Sequence, residues 1–252
     1  MSNLSRRKFV GAGVAAVAGA AGLAVAAKLA QRYGLVPPDG CGIYGPGETL
    51  TYAAHRLFAR DSLAREFPRS MISKPPFANS ISPLSEDFKR LESGGFTDWR
   101  LSIDGMVAQP ASLSLSDLRR LPVGRQITEV VCEEGWSYVA EWIGTPLYEV
   151  LKAVGVLPQA RYLVYFSIEP DWWDSIDIEE ALHSQTLVTW AMNDGNLPVP
   201  FGGPLRLRLP RQLGYKSVKF LTRLMATDSA KGFVPAIDPK SANYGYSWYA
   251  GI

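Results

Sequence analysis

The chain has 252 residues, 47% of them hydrophobic, with 26 basic against 24 acidic side chains and a net charge of +2. That length can bury a substantial core in one domain of about 200 residues, and the near balance of charge argues against a dedicated nucleic-acid binder. Two cysteines and two histidines leave no c-type haem motif, no iron-sulfur cysteine set and no zinc spacing.

Residues 1–30 are a segment apart. Ser5-Arg6-Arg7-Lys8-Phe9 precedes an uncharged Ala/Gly/Val run over 11–27, a pattern that resembles a twin-arginine export signal. Val10 stands where leucine is commoner. The same stretch is about long enough to act as a basic-flanked membrane anchor, and both readings put the body of the protein outside the cytoplasm. Ala24-Val25-Ala26 offers a small-x-small cleavage site. Export in the folded state fits a cofactor inserted beforehand.

Residues 31–74 read as a linker with one helix. Pro37-Pro38-Asp39-Gly40 and Gly45-Pro46-Gly47 are turn signals, and the pattern predicts a helix over 51–67, capped by Thr49 or Thr51 and stopped by Pro68. Residues 99–105 alternate like a half-buried strand ending in Asp104-Gly105. Ser114 or Ser116 is placed to cap a short helix ending at Leu121. A strand over 126–132 then delivers Cys132 to its end. Pro146 opens a helix that Gly155 closes. Strands follow over 162–168 and 187–192, with a helical turn at 178–183. There is no Gly-rich phosphate loop and no regular βαβ alternation, so the fold class is α+β with mixed sheets and short helices.

Cys132, in Val130-Val131-Cys132-Glu133-Glu134-Gly135-Trp136-Ser137, is the strongest chemical candidate. Neighbouring carboxylates raise a thiol's pKa and suppress its nucleophilicity, whereas a bound cation holds the same sulfur as thiolate. The competing reading is a cysteine packed as a small hydrophobe. Leu205-Arg206-Leu207-Arg208-Leu209 has period two, which puts both arginines on one strand face and the leucines inward. Arg211, Lys216, Lys219 and Arg223 follow, with no acid from Gly195 to Thr227. This is either an ordinary solvated face or a site for a phosphate-bearing cofactor, approached closely at Gly202-Gly203-Pro204 and Gly214.

Taken in order, these pieces resemble the molybdopterin-binding domain of the sulfite oxidase family, in its exported bacterial branch related to periplasmic methionine sulfoxide reductase. The resemblance rests on Cys132-Glu133-Glu134-Gly135-Trp136-Ser137 with Trp142-Ile143-Gly144-Thr145-Pro146-Leu147, on Ala191-Met192-Asn193-Asp194-Gly195, on Gly203-Pro204-Leu205-Arg206-Leu207-Arg208-Leu209-Pro210 with Leu213-Gly214-Tyr215-Lys216, and on Trp248-Tyr249-Ala250-Gly251-Ile252. It covers residues 75–252, the expected catalytic domain. The resemblance implies that Cys132 binds molybdenum and is the catalytic residue. It assigns cofactor contacts to Asn79, Ser167, Arg206, Ser217, Val218 and Lys219, and to the position of Phe201, where the family often has a polar Asn or His. Trp136, Tyr215, Tyr244, Tyr246, Trp248 and Tyr249 are candidates for the entrance.

The implied cofactor is molybdenum-molybdopterin. The implied function is periplasmic oxo transfer, reducing S-oxides of the methionine sulfoxide type or N-oxides. The substrate would be a small-molecule or protein-bound oxide, a membrane haem partner would donate electrons, and the chain would act as a monomer. A sulfite dehydrogenase is the alternative within the fold. Outside it stand a hydrolase pairing Cys132 with His183 or His55, and a non-enzymatic exported binding or assembly module. If the leader is a twin-arginine signal, Arg6→Lys combined with Arg7→Lys strands cofactor-loaded protein in the cytoplasm. Fractionation and immunoblotting of the double variant check this, and normal periplasmic accumulation refutes it.

Overall fold

In the computed structural model the described residues are 22, 25–26, 28–30, 34–37, 45–79, 83, 85–170, 172–231, 233 and 246–252. The twin-arginine motif, Cys41 and Tyr244 lie outside them. Among the described residues no helix is long and apolar enough to cross a membrane.

Two five-stranded sheets form the body. The first is ordered β2 (Ala111–Ser114), β1 (Arg100–Gly105), β10 (Leu221–Thr227), β5 (Tyr162–Ser167) and β6 (Trp173–Asp177). Only β1 and β10 are parallel in it. The second runs β3 (Gly124–Val131), β4 (Ser137–Pro146), β7 (Leu187–Met192) and β8 (Gly195–Asn196), with β9 (Arg206–Arg208) also paired to β7. It is antiparallel throughout. This is the expected α+β class.

Local sequence explains most elements. β1 buries Leu101 and Ile103 and turns at Gly105, whose φ of 81° suits glycine. Ser114 caps α3 (Leu115–Arg120) in a capping box with Asp117. In α4 (Leu147–Val154), Leu147, Val150, Leu151 and Val154 share the buried face, and Gly155 closes the helix in the left-handed conformation. These side chains join Leu101, Leu163 and Leu224 of the first sheet and Leu205, Leu207 and Leu209 in the main core. Each fully buried leucine contributes roughly 1.5–3 kcal/mol.

The helix predicted over 51–67 starts earlier and stops sooner. α1 spans Pro46–Phe58, because Pro46 is preorganised for the first helical turn. The chain beyond it is extended instead: Phe67 N–H donates to the Ile127 carbonyl at 2.9 Å, and Glu66 pairs with Thr128. α1 is fastened to the body by Tyr52 Oη, which donates to Asp177 at 3.1 Å, and by Arg56, which pairs with Asp177 and Glu179. The sequence reading did not predict α2 (Glu86–Ser93) or strands β2, β4, β6, β8 and β10. β4 lies between β3 and β7 and is buried on both faces, so it lacks the alternation that betrays β1 and β3.

The most buried ion pair lies beneath the candidate site. Lys216, fully buried, pairs with Asp174 of β6, donates to the Ser175 carbonyl at 2.9 Å and sits 5.7 Å from the Trp248 ring centre. Its own carbonyl accepts from Tyr165 Oη at 2.9 Å. Lys216→Met leaves Asp174 buried without its cation, so a stability loss of about 3–5 kcal/mol is expected. Urea denaturation of the purified variant followed by circular dichroism measures it; a loss near zero means the pair contributes nothing.

Candidate active site

β3 carries the chain up to Val131, and Cys132 begins the turn into β4. That turn closes tightly: Cys132 N–H donates to the Trp136 carbonyl at 2.9 Å and Gly135 N–H to the Cys132 carbonyl at 3.1 Å. Gly135 has a φ of 89°. From the other side, the turn at Gly214–Lys216 presses against the end of β3. A Cβ on Gly214 would stand 3.2 Å from the Val131 carbonyl oxygen and 3.3 Å from Val130 Cγ1. Glycine there lets the segment leading to Ser217, Val218 and Lys219 run beside Cys132.

Together these elements enclose a cavity of about 370 Å³. Cys132, Asn79, Arg206, Ser217, Val218 and Lys219 all line it. Two predicted residues stand beside it instead. Ser167 Oγ, at the end of β5, accepts from Glu169 N–H at 3.2 Å. Phe201 packs its ring on Tyr138 and turns its carbonyl toward Arg206 Nη1 at 3.0 Å. The Phe201 side chain thus belongs to a small cluster with Tyr138, Trp142 and Met192, and any polar contact at this position comes from its backbone.

Of the aromatic candidates, Trp136, Tyr215 and Tyr246 line the cavity. Trp248 and Tyr249 instead pack with Tyr52 and Tyr162 in a separate core. Sequence reasoning missed Glu169, Trp172, Trp173 and Asp174, which form the wall contributed by the turn into β6 and its first residues. The run Trp172-Trp173-Asp174, directly after a turn signal, is the mark that could have found them.

Two groups of side chains in the cavity lining differ in electrostatic character. Cys132 Sγ lies 3.4 Å from Glu133 Oε2 and 3.8 Å from Glu134 Oε2, and Glu134 also accepts from Trp136 Nε1 at 2.8 Å. Burial, reinforced by the two carboxylates, pushes the thiol up to about 12. An isolated thiol here stays protonated and poorly nucleophilic. In the second group Arg206 is 3% exposed, with Nε unpartnered among the described residues. Lys219 donates to the neutral oxygens of Asn79 at 3.0 Å and Pro200 at 3.1 Å. Burial and the neighbouring Arg206 pull its ammonium down to about 7. Among the described residues neither cation forms an ion pair with a carboxylate.

The basic run is therefore not the uncompensated patch that its sequence implied. Arg211 meets Glu180 at 3.7 Å, Lys216 meets Asp174, and Arg223 meets Asp104 at 2.7 Å. Other elements bring in these acids, which the local sequence does not contain. Nor is it a solvated strand face. Arg208 is completely buried, donating to Thr128 Oγ1 at 3.2 Å, and both arginines lie 5.4 Å from the Trp142 ring centre. The hydrolase pairing also fails. Neither histidine lines the Cys132 cavity: His55 Nδ1 faces Tyr249 Oη at 2.8 Å, and His183 Nδ1 accepts from Gln185 N–H at 3.3 Å.

The sequence profile of the oxidoreductase molybdopterin-binding domain matches residues 90–233. A provisionally named protein-methionine-sulfoxide reductase subunit, YedZ1, of Azospira oryzae is 34% identical over 195 residues, which cover 77% of this chain and 70% of the relative. The protein-methionine-sulfoxide reductase catalytic subunit MsrP of Ralstonia nicotianae is 31% identical over 145 residues, covering 52% of this chain and 44% of the relative. The solved structure of the sulfane dehydrogenase SoxCD from Paracoccus pantotrophus shares the fold at a TM-score of 0.52 and 23% identity, over 57% of this chain and 40% of that one. The chain thus spans less than half of the Ralstonia relative and of the Paracoccus chain.

Fold and comparisons together define an oxidoreductase that binds molybdopterin. The chain belongs to the oxidoreductase molybdopterin-binding domain family, the sulfite oxidase family that its motifs resemble.

The residues present fit such a cofactor. Arg206, buried, and Lys219, half-buried, supply donors that meet no carboxylate among the described residues, suited to a phosphate. Cys132 supplies a soft ligand that a metal would hold as thiolate. The cationic group carries a pH signature. With a folded-state pKa near 7 against an ordinary 10.5, Lys219 binds fewer protons in the folded than in the unfolded state between those values, so its contribution to stability rises with pH across that window. In cofactor-free protein, Lys219→Met is therefore expected to be more stable than wild type at pH 6, with an advantage that shrinks toward pH 10. Urea midpoints across that range test it; a pH-independent difference overturns it.

Proposed function

We propose that this chain is the exported catalytic subunit of a molybdenum oxidoreductase that reduces S-oxides of the methionine sulfoxide type, or N-oxides, in the periplasm. A membrane haem protein would supply the electrons. The observation that carries the reading is one cavity lined by a carboxylate-flanked thiol and by two cations that meet no carboxylate among the described residues. The relatives named as methionine-sulfoxide reductase subunits support the substrate class. Their naming as subunits supports a separate electron donor. The overall conversion balances as oxide plus two protons plus two electrons giving the reduced compound and water.

When bound, the molybdopterin's metal supplies oxo-group exchange between two oxidation states. The chain's own residues would do the rest. Arg206 and Lys219 anchor the phosphate end, with the Ser217 and Val218 segment alongside and Asn79 holding the Lys219 ammonium. Cys132 ligates the metal as thiolate. Trp136, Tyr215 and Tyr246 narrow the approach, and burial with the adjacent Glu133 keeps the Tyr246 hydroxyl protonated. Excluding water strengthens every electrostatic contact inside.

Cys132→Ser replaces a soft thiolate by a hard hydroxyl at nearly unchanged size. The variant should fold, as judged by circular dichroism, and lose at least about a hundredfold in oxide-reductase activity with reduced viologen dye, a drop of roughly 2.7 kcal/mol or more in transition-state stabilisation. Molybdenum analysis of wild type accompanies the assay. Wild-type protein without molybdenum, or a fully active variant, overturns the assignment.

A further inference from the structure

A second cavity, of about 530 Å³, adjoins the first and shares Glu133, Tyr215 and Tyr246 with it. The start of α1 and the C-terminal segment form its remaining walls, through Glu48, Thr51 and Tyr249 among others. Its charge is of one sign. Glu48 and Glu133 are its ionisable acids, and no lysine, arginine or histidine lines it among the described residues.

Glu48 is the informative group. It is 6% exposed. Its Oε1 accepts from Ser247 Oγ and, at 3.4 Å, from Tyr249 N–H. Oε2 is buried and has no hydrogen-bond partner among the described residues. A buried carboxylate oxygen without a donor is costly, and native structures rarely leave one. An anion would be repelled by Glu48 and Glu133, and an apolar ligand would leave Oε2 as it stands. A cation in the chamber compensates the charge of the carboxylate that lines it, and the tyrosine rings there are suited to hold such a group.

We propose that this antechamber is a cation-binding subsite, which holds an ammonium group of the substrate while the oxide of the same molecule reaches the Cys132 cavity. The kinetic part of this assignment rests on the reductase reading above. The site itself rests on Glu48 and the shape of the chamber. The class of preferred substrate is then an S-oxide with a free amine a few bonds from sulfur.

Two oxides separate charge from shape: methionine sulfoxide amide, and the same compound acetylated on its amine. At about pH 6 the free α-amine, with an ordinary pKa of roughly 7.7–8.0, is protonated. For the holoenzyme the cationic oxide should exceed the neutral one in kcat/KM by about tenfold, the size expected of one partly desolvated cation contact. Glu48→Gln retains the Oε1 acceptor and should bring that ratio close to one. Thr51→Lys, on an exposed position, places a tethered ammonium in the chamber and should do the same. Calorimetry with methioninamide and N-acetylmethioninamide gives a readout independent of turnover: the first should bind wild type and not the variants, and the second should bind neither.

Equal kcat/KM for the two oxides with no methioninamide binding overturns the subsite and leaves the reductase reading intact. An unchanged ratio in both variants overturns it as well. Methioninamide binding that depends on Glu48, in an enzyme that turns over neither oxide, supports the subsite and overturns the reductase reading.

Discussion

The constraint on which this site depends is the burial of like charges in one corner of the second sheet. Arg206 and Arg208 alternate along β9, so their side chains lie on the same face, and both guanidinium groups stand against Trp142. Lys219 joins them from the following segment, close enough for Arg206 to lower its pKa. Charges taken out of water cost several kcal/mol each unless they are paired. Backbone carbonyls and the Trp142 face offset part of that cost. For Arg208, burial and the adjacent Arg206 still pull the guanidinium down to about 9. Under the proposed function, the phosphate of the cofactor would meet the remaining deficit at Arg206 and Lys219.

The neighbouring cations show how the same fold treats charge where no ligand is required. Lys216, Arg211 and Arg223 lie in the same basic stretch, yet each meets a carboxylate from a distant element. The Lys216–Asp174 pair joins the 214–216 turn to β6, and Trp248 closes over it while donating to Ser175 Oγ at 2.9 Å. Since Asp174 and Tyr215 both line the cavity, this buried pair holds the floor on which the active-site walls stand. Burial raises the Asp174 carboxyl to about 6 even against its lysine, so the pair is held by its surroundings as much as by its own attraction.

The cavity lining carries both polarities. The Cys132 turn brings two carboxylates to the sulfur, a setting that quenches a nucleophile and favours a metal ligand. Arg206 and Lys219 do the reverse and suit negative charge. A cofactor that is anionic at one terminus and metallic at the other answers both demands. The antechamber repeats the logic with acidic walls and tyrosine rings, turning charge toward selection of substrate.

Much of this was legible in the chain itself. Period-two alternation located β1 and β9, Ser114 and Gly155 marked helix ends, and the apolar run through Val131 placed Cys132 at a strand terminus, because these features depend on neighbours a few residues apart. The motif around Cys132, in order with the spaced motifs that follow it, also pointed to the family and its cofactor class. Four things were decided only by the tertiary structure. β4 is hidden in sequence because a strand buried on both faces loses its alternation. α1 runs over Pro46–Phe58 rather than 51–67, since Pro46 is preorganised for the first turn and the segment after Phe58 pairs with β3 instead of remaining helical. Three cations of the basic run found acids more than 30 residues away, whereas Arg206 and Lys219 found none among the described residues. Glu169, Trp172 and Asp174 entered the cavity wall only when β6 paired with β5. Local chemistry belongs to the sequence, but which charges are neutralised depends on long-range pairing that brings distant residues within a few ångströms.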